Sequence, residues 1–535
     1  MTVTNQVPPL TGYDVFACDP ALVAGVERYG ASWAAAELTE IGVAAGGEQA
    51  QAWGERANAV PPVLRTHDRT GVRIDEVDFD PSWHALLERA VGWGLTGAPW
   101  ADPRPGAHVA RAAGFYVWSQ VEQGHLCPVS MTHAAVPALR VDPALADAWV
   151  PALTARRYEP GLRPVSGKAG ALAGMGMTEK QGGSDVRANV TTAEPTGVDG
   201  EYALTGHKWF CSAPMSDVFL VLAQAPGGLT CFVLPRVLPD GTRNAFRIER
   251  LKDKLGNRSN ASSEVEFDRA LARRLGDEGR GVPTIIEMVA ATRLDCVAGS
   301  AAIMRQAVVR AAHHAAHRRA FGALLADQPL MRAVLADLAV ESEAATTLLL
   351  RLAAAADAGE RDLLRIGLPV AKYWVCKRTP VTVGEALECL GGNGYVEEWG
   401  MARLYREAPL NSIWEGSGNV NALDLLRALR DRATLDAFLT EIGSTRGVDA
   451  RLDKAVADLL TDLADMDGIE ARARRLAERA ALVLAGSLLV RAGDPAVADA
   501  FCATRLGGDW GHTFGALPTG LDVAGIVSRI TPPVR

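Results

Sequence analysis

The sequence predicts an α+β multidomain protein with an N-terminal helical domain, a central β-barrel-like domain, a four-helix bundle and a C-terminal helical domain. Two observations predict this class. Apolar residues recur at helical spacing on both sides of residues 170–275, and within that stretch they alternate with a period of two. A chain of 535 residues with 48% hydrophobic content can bury several cores, so we expect three or four domains.

The N-terminal helical domain is predicted over residues 1–168. Apolar residues such as Trp83, Leu86, Leu87 and Ala90 share one helix face. Proline-rich joints at 61–62 and 103–105 separate the helices, because proline interrupts helical hydrogen bonding.

The central β domain is predicted over residues 169–277. Alternation is visible in Val218, Leu220 and Leu222, and again in Val265 and Phe267. Clusters of proline, glycine and aspartate at 226–228 and 239–241 predict the turns between strands. The β domain is therefore inserted between helical ones.

Long helices return in residues 278–430, which we predict to form the four-helix bundle. Its four segments are expected to begin near Pro283, Pro329, Leu363 and Ser417. The remaining residues, 431–535, are rich in alanine and leucine and predict the C-terminal helical domain.

The overall charge and the cysteines exclude several classes of protein. A net charge of -8 argues against a broad nucleic-acid-binding surface. No two of the eight cysteines have CxxC spacing, so a zinc ribbon or a thioredoxin-like site is not predicted and no metal site is expected. Scattered buried thiols in a reducing compartment fit the cysteines better.

The sequence also lacks the usual signs of export or membrane insertion. The first ten residues are polar and contain two prolines, unlike a signal peptide. The longest strongly apolar run, Ala480–Val490, is short of the roughly 20 residues that span a bilayer. We therefore expect a cytoplasmic protein without a membrane partner.

Four local motifs follow one another through these predicted domains. They are Met177–Asp185 (MTEKQGGSD), Gly206–Ser212 (GHKWFCS), Arg318–Gly322 (RRAFG) with Gln328, and Gly391–Tyr395 (GGNGY) together with Trp414–Gly416 (WEG). A glycine pair exposes backbone amides to an anion or a carbonyl, a tryptophan offers a flat face, and a guanidinium binds phosphate with two hydrogen bonds. Each motif also has an ordinary interpretation as a turn, a core residue or a solvated helix face.

Together, and in this order, the motifs resemble the acyl-CoA dehydrogenase family of flavoproteins. Residues 177–186, 251–267 and 411–419 are most similar to the branch of that family associated with the adaptive response to DNA alkylation. The resemblance extends over essentially the whole length and weakens after about residue 430. It implies an acyl-CoA dehydrogenase-like fold and an FAD-dependent oxidoreductase acting on a CH–CH bond.

The resemblance also implies which residues contact FAD. The glycine motif would cradle the flavin, Trp209 would lie against its ring, and Arg318 would reach the diphosphate of a flavin bound by a neighbouring subunit. The full set is Met177, Thr178, Gly183, Ser184, Trp209, Cys211, Ser212, Arg318, Phe321, Gln328, Glu388, Gly391, Gly392, Ser417, Gly418 and Asn419.

Glu415 is the residue that the resemblance assigns as the catalytic base. It would remove the proton next to a carbonyl while a hydride passes from the adjacent carbon to the flavin. Trp414 can desolvate this carboxylate, and the flanking glycines let the backbone approach a ligand. Arg293 resembles the family's helix arginine that orients the carboxylate or lowers its pKa. Considered alone, Glu415 also suits a cap for the helix beginning near Ser417.

Two residues depart from the general family pattern. Cys211 stands two residues after Trp209, where many members have a threonine, and Ser212 could replace that hydroxyl only if the strand shifts by one residue. Glu388 stands where many members have glutamine, so it brings a negative charge towards the region expected to hold adenine and phosphates. We expect both departures to affect the affinity for the flavin or its reduction potential, and not the fold.

The partners that the resemblance implies are a small substrate, an electron acceptor and three further copies of the chain in a homotetramer. No separate coenzyme A signature is present, so an acyl-CoA and a small amino-acid or nitrogen-containing metabolite stay equally open. DNA binding is the alternative function. Residues 431–535 contain 12 lysines and arginines against 15 aspartates and glutamates, which gives that alternative weak support.

Overall fold

A computed structural model describes residues 4–465 and 467–532. Helices dominate at both ends of the chain. They are α1 (Pro20–Arg28), α2 (Ala35–Ala45), α3 (Glu48–Ala59), α4 (Pro81–Gly92), α5 (Ala98–Ala101), α6 (Ala107–Ser119), α7 (Leu126–Leu139), α8 (Pro143–Leu153), α9 (Gly281–His317), α10 (Pro329–Asp357), α11 (Arg361–Glu388), α12 (Met401–Glu407), α13 (Gly418–Ala428), α14 (Arg432–Gly443), α15 (Ala450–Ala464), α16 (Ala473–Ala492), α17 (Pro495–Phe501) and α18 (Val523–Ser528).

Strands fill the middle of the chain, with a short hairpin on either side. They are β1 (Val63–His67), β2 (Arg73–Asp78), β3 (Ala173–Gly176), β4 (Thr192–Pro195), β5 (Glu201–Ser212), β6 (Val218–Ala225), β7 (Gly228–Pro235), β8 (Phe246–Leu251), β9 (Ser262–Leu275), β10 (Arg319–Ala320) and β11 (Ala323–Leu324). The predicted α+β fold class is therefore confirmed.

The described residues divide into two compact units, each built from separated parts of the chain. One unit, the strand unit, comprises residues 51–103 and 122–292. The other, the helical unit, comprises residues 1–50, 104–121 and 293–535. Because each unit combines separated parts of the chain, consecutive ranges do not describe the units, and the four domain ranges drawn from the sequence stay a prediction.

In the strand unit, five strands close into a ring in the order β6-β4-β5-β9-β7, and β7 pairs back with β6. β3 runs parallel to β6, and β8 pairs with β9. Aromatic side chains fill the ring core, among them Phe219, Phe232, Phe246 and Phe267. The closed ring leaves few edges on which other chains could add a strand.

A second core of the strand unit lies between strands and helices. It joins Leu220 and Leu222 of β6 to Leu139 of α7 and Trp149 of α8. α8 begins where its sequence dictates, because Asp142 accepts hydrogen bonds from the amides of Ala144 and Leu145 and Pro143 is the first helical residue.

The hairpin β1–β2 also belongs to the strand unit, and the prediction of an all-helical N-terminal region missed it. Asp68 closes its turn by accepting hydrogen bonds from the amides of Thr70 and Val72. Such an Asx turn is a local signal that the helical periodicity around it concealed.

In the helical unit, α10 and α11 form an antiparallel pair joined by the turn 358–360. α11 also packs against α13 and α14, and α16 contacts α10, α11 and α13. α9, α10, α11 and α13 begin within two residues of the four positions predicted from the sequence. Across residues 4–465 and 467–532, no helix combines the length and the apolar character needed to cross a membrane.

Candidate functional site

The glycine motif of the strand unit is anchored by a buried ion pair. Lys208 Nζ donates to Glu179 Oε1 at 2.7 Å, and both side chains are fully buried. The amides of Val190 and Thr191 also donate to this carboxylate. Burial by itself would raise the pKa of Glu179, but Lys208 and these hydrogen bonds hold it at about 2. The carboxylate is therefore a permanent anchor for the loop that follows β3.

The predicted flavin-cradle residues lie on that anchored loop. The amide of Trp209 donates to the carbonyl of Thr178 at 2.8 Å, which joins the loop to β5. A Cβ at Gly183 would collide with the Thr178 hydroxyl, so the loop requires glycine there. Met177 and Thr178 are half-buried, whereas Gly183 and Ser184 are exposed. The structure thus brings these four residues together.

Cys211 does not face the outside of the ring. Its side chain is 1% exposed and lies in the ring core, where the thiol faces the Met175 carbonyl at 3.9 Å. Burial raises the pKa of this thiol to about 12. The Cys211 thiol therefore lies inside the ring, and a contact of this residue with the cofactor stays a prediction.

Phe210 and Ser212 occupy the outer face instead. Neighbouring residues in a strand point in opposite directions, so these two flank Cys211 on the other side. Phe210 is 53% exposed, and Ser212 is half-buried. The Lys252 ammonium lies over both rings of the motif, with its nitrogen 3.6 Å from the Trp209 centroid and 4.6 Å from the Phe210 centroid.

A strand irregularity lies within this motif. The pairing of β5 with β9 shifts between Lys208 and Cys211, which changes the phase of the alternation within the motif. Neither glycine nor proline marks the shift in the sequence. The exposure of Phe210 became evident only from the structure.

In the helical unit, Glu415 lies in a tight turn immediately before α13. Its φ is +56°, a left-handed conformation that is uncommon for any residue with a side chain, and Gly416 follows with φ +96°. Ser417 is the N-cap of α13, and no acidic residue occupies the first helical turn. Glu415 is therefore not the helix cap, although the helix starts where the sequence predicted.

Three donors hold the backbone of this turn. Arg293 Nε donates to the Glu415 carbonyl at 3.2 Å. Lys372 Nζ donates to the Gly416 carbonyl at 2.7 Å, and Asn421 Nδ2 donates to the same oxygen at 2.6 Å. Trp414 is fixed as well, because its indole N–H donates to Asn411 Oδ1 at 2.8 Å. The unusual backbone of Glu415 is thus defined by its surroundings.

The charge of Arg293 is directed at a carboxylate other than Glu415. Arg293 Nη1 lies 2.5 Å from Asp424 Oδ2, and Arg365 Nη2 lies 2.9 Å from the other oxygen of Asp424. Burial opposes ionisation of Asp424, but the two arginines keep its pKa below the usual value. Among its described contacts, Arg293 reaches Glu415 only through the backbone carbonyl.

Ser417, Gly418 and Asn419 form the start of α13, directly after the Glu415 turn. Gly418 is buried, and a Cβ there would collide with the side chain of Lys377. Asn419 is exposed. The structure therefore places these three predicted cofactor residues beside the predicted base.

Arg318, Phe321 and Gln328 form a separate group at the far end of α9. Phe321 is 97% exposed at the tip of the β10–β11 hairpin, and Gln328 Nε2 donates to the Ala320 carbonyl. Arg318 donates to the Asn5 carbonyl. The helix between Arg293 and this group is about 36 Å long at 1.5 Å per residue. One copy of the chain cannot bring this group to Glu415.

Glu388, Gly391 and Gly392 form a third group, exposed at the C-terminal end of α11. Lys372, which contacts the Glu415 turn, lies about 24 Å away along the same helix. Gly391 has φ +59°, so glycine suits this turn. This group is also distant from Glu415 within one chain.

Three of the four arginines near the start of α16 are matched by local carboxylates, and Arg474 donates to the Tyr373 hydroxyl. Arg479 and Arg475 both pair with Asp462, and Arg472 pairs with Asp465 at 3.1 Å. A surface that neutralises DNA phosphates needs several unmatched cations. This cluster does not favour the DNA-binding alternative.

Known proteins resemble this chain over nearly its entire length. Residues 5–160 match the adaptive response protein AidB N-terminal domain, residues 174–270 the acyl-CoA dehydrogenase middle domain, and residues 279–430 the acyl-CoA dehydrogenase C-terminal domain. AidB of Escherichia coli (strain K12) is 47% identical over 512 residues, which cover 94% of each chain. The chain belongs to the acyl-CoA dehydrogenase family.

Solved structures of this family share the fold. ACDH-11 of Caenorhabditis elegans in complex with C11-CoA superimposes with a TM-score of 0.86 at 28% identity, covering 95% of this chain and 92% of that one. An acyl-CoA dehydrogenase from Bacillus anthracis complexed with FAD has a TM-score of 0.65 at 19% identity, covering 84% and 86% of the two chains, and so supports the fold alone.

The acyl-CoA dehydrogenase resemblance inferred from the four motifs is thus confirmed, including its similarity to AidB. The family match extends through the glycine motif, the ring strands and the Glu415 turn. The roles of the individual residues within this family frame remain to be proposed from their geometry.

Proposed function

We propose that the protein is an FAD-dependent oxidoreductase of the acyl-CoA dehydrogenase type, with Glu415 as the base that removes the α-proton of an acyl substrate. The observation that carries this proposal is the left-handed backbone of Glu415, held by Arg293, Lys372 and Asn421. Such a conformation costs about 1–2 kcal/mol in a residue other than glycine. Strain of this kind tends to collect at functional sites, where the surrounding structure compensates for it.

The strand unit has features that fit a flavin. Gly183 lets the backbone approach a ligand closely, and the exposed amides of its loop can donate to carbonyl or phosphate oxygens. Phe210 offers an exposed aromatic face, with the Ser212 hydroxyl on the same side of β5. We propose these residues, with Met177, Thr178 and Ser184, as the flavin contacts of the strand unit. When bound, FAD would supply the acceptor for the hydride.

The chain's own contribution is to hold the substrate and to move a proton. The carboxylate of Glu415 would accept the proton from the carbon next to the carbonyl, forming a new O–H bond as that C–H bond breaks. The electron pair of that bond becomes part of the new double bond as the hydride leaves the adjacent carbon. Arg293, Lys372 and Asn421 would keep the base in place during this step, because each holds a backbone carbonyl of its turn.

An acyl-CoA is the substrate class we propose. Support comes from ACDH-11, whose structure contains C11-CoA and whose fold covers 95% of this chain. An electron acceptor is then required to return the flavin to its oxidised form, as part of the same proposal.

A homotetramer would account for the residues that are distant from Glu415. The groups around Arg318 and Gly391 lie about 36 Å and about 24 Å from the Glu415 region along α9 and α11. Phe321 and Tyr395 are 97% and 84% exposed, which is unusual for aromatic side chains outside an interface. We propose that these groups contact FAD bound by another subunit. Analytical ultracentrifugation tests the assembly, and a monomer at micromolar concentration would contradict it.

The test of the proposed activity is anaerobic mixing of FAD-loaded protein with a series of acyl-CoAs that includes C11-CoA. We expect the visible absorbance of oxidised flavin to disappear with at least one of them and to return when an electron acceptor is added. Protein that binds no FAD would overturn the cofactor assignment. Bound FAD that no acyl-CoA reduces would overturn the dehydrogenase assignment and favour a flavin-bound scaffold.

The DNA-binding alternative has a separate test. Duplex binding through phosphate contacts would weaken steeply with salt. Because Arg472, Arg475 and Arg479 are paired with Asp462 and Asp465, we expect no gel shift of duplex DNA even at low ionic strength. A salt-sensitive shift would revive that alternative.

A further inference from the structure

Lys372 is a buried lysine beneath the Glu415 turn. Its side chain is 1% exposed, and its ammonium donates to the carbonyls of Asn411 at 2.9 Å and Gly416 at 2.7 Å. These two carbonyls lie on either side of the Trp414–Glu415 segment. The described hydrogen bonds of this ammonium are thus to backbone carbonyls.

An ammonium buried without a carboxylate is costly, because two carbonyl dipoles replace only part of its hydration. A methionine of similar length would fill the same space without that cost. We therefore expect that the Lys372 ammonium either has an anionic neighbour or stabilises the turn through its charge.

The charged and titratable groups near the turn come from three helices. α9 contributes Arg293, Asp295 and Cys296, α11 contributes Arg365, Lys372, Tyr373, Cys376 and Lys377, and α13 contributes Asp424. Asp295 is paired with Arg111. Asp424 is paired with Arg293 and Arg365, so these charges largely cancel.

The two thiols facing the turn are uncharged. Burial raises the pKa of both Cys296 and Cys376. Lys372 donates to the carbonyl of Gly416, the residue next to Glu415, whereas the carboxylates of Asp295 and Asp424 are already paired with arginines. Glu415 is thus the anion that best matches the Lys372 charge.

We infer that Lys372 is a positioning residue for Glu415: its ammonium fixes the carbonyls on both sides of the base and supplies the positive charge that favours the ionised carboxylate. This inference rests on the proposed role of Glu415 for its catalytic meaning. It assigns to Lys372 the electrostatic role that the sequence assigned to Arg293, whose guanidinium is engaged by Asp424. A more readily ionised base is ready to accept a proton at neutral pH.

The test is a pH titration of the Glu415 carboxylate by infrared difference spectroscopy, with Glu415→Gln in each background supplying the reference. Removing a nearby positive charge makes ionisation harder, so Lys372→Met should raise the titration midpoint by at least about one pH unit. Lys372→Arg keeps the charge and should recover most of the shift. Lys454→Met, which removes an exposed lysine, should leave the midpoint unchanged.

An unchanged midpoint in folded Lys372→Met would overturn the inference. If that variant does not fold, Lys372→Gln serves in its place, because its amide can still donate to one carbonyl while the charge is absent. A midpoint of wild-type value in Lys372→Gln would be equally contradictory. The titration needs no substrate, so its result stays separate from the outcome of the acyl-CoA experiment.

A second measurement uses the reciprocal coupling of the two groups. If Glu415 compensates the Lys372 charge, Glu415→Gln should lower the unfolding midpoint in urea in the wild-type background. The same change should have a clearly smaller effect in the Lys372→Gln background. Equal losses in the two backgrounds would show that the charges are not coupled.

Discussion

Two buried lysines show how differently the two units use a charge. In the strand unit, Lys208 donates to the carboxylate of Glu179 at 2.7 Å, and both groups are fully buried. In the helical unit, Lys372 donates only to backbone carbonyls, those of Asn411 and Gly416. The ion pair of Lys208 with Glu179 anchors its loop permanently. The ammonium of Lys372, which donates to carbonyls, keeps part of its positive field, and this field acts on neighbouring groups.

The hydrogen bonds that hold the backbone also differ between the Glu179 loop and the Glu415 turn. The Glu179 loop is fixed by a carboxylate that accepts from Lys208 and two backbone amides. The Glu415 turn holds a left-handed glutamate, and the carbonyls of Glu415 and Gly416 accept hydrogen bonds from Arg293 and Lys372. The first arrangement is typical of a structural anchor, and the second fixes the backbone of the residue that we propose as the base.

The largest expected effect on stability comes from breaking the matched pair. Glu179→Ala leaves Lys208 buried without a counter-ion, so the free energy of unfolding should fall by about 3–5 kcal/mol, measured by urea denaturation. The double variant Glu179→Leu with Lys208→Met removes both charges and should recover most of that loss. A loss below about 1 kcal/mol in the single variant would mean that the pair does not anchor the loop.

Lowering the pH should weaken the Glu179–Lys208 ion pair without any mutation. The pKa of Glu179 is about 2 in the folded protein against an ordinary value of 4.5, so its stabilising effect is present above about pH 4.5 and is lost as the pH falls towards 2. The loss should approach about 3 kcal/mol. Urea denaturation across this range measures it, and the Glu179→Leu, Lys208→Met double variant should show a visibly shallower decline. Identical pH dependence in both proteins would contradict this account.

The strand unit also provides a test of the proposed flavin face. Phe210→Ala should weaken FAD binding about tenfold, because an exposed aromatic surface is lost. Trp209→Ala should weaken it less than about twofold, because the Trp209 ring is half-buried and lies closer to the Lys252 ammonium (3.6 Å) than the Phe210 ring does (4.6 Å). Titration of FAD-free protein with FAD measures both. A larger effect at Trp209 would restore the assignment made from the sequence.

The smallest expected effect concerns the strained glutamate. Glu415→Gly and Glu415→Ala both lose the carboxylate, but only glycine adopts the left-handed backbone without strain, so the glycine variant should have the higher free energy of unfolding by about 0.5–1 kcal/mol. At Glu385, within α11, the order should reverse, with the glycine variant about 1 kcal/mol less stable than the alanine variant. A glycine variant less stable than the alanine variant at both positions would show that the turn is not strained.

The sequence predicted the helices well because their starts depend on local chemistry. Proline at the first position marked Pro329, and a serine before glycine marked the start of α13 at Gly418. The β1–β2 hairpin escaped prediction because its signal is one Asx turn at Asp68 within a helical pattern.

The candidate site was predictable only in part. Glu415 and the glycine motif follow from motifs that are contiguous in sequence. Phe210 was missed because the irregularity in β5 changes which residues face outwards. Lys372 was missed because its acceptors lie about 40 residues further along the chain, and no local pattern reports a contact at that separation.

The measurement that tests the central claim most directly is the rate at which C11-CoA bleaches the FAD-loaded protein under anaerobic conditions, compared between wild type and Glu415→Gln. Glu398→Gln, which alters an exposed glutamate, is the control and should behave as wild type. If Glu415 is the base, Glu415→Gln should keep its flavin and slow the bleaching at least about a hundredfold. Bleaching by Glu415→Gln at the wild-type rate would contradict the account.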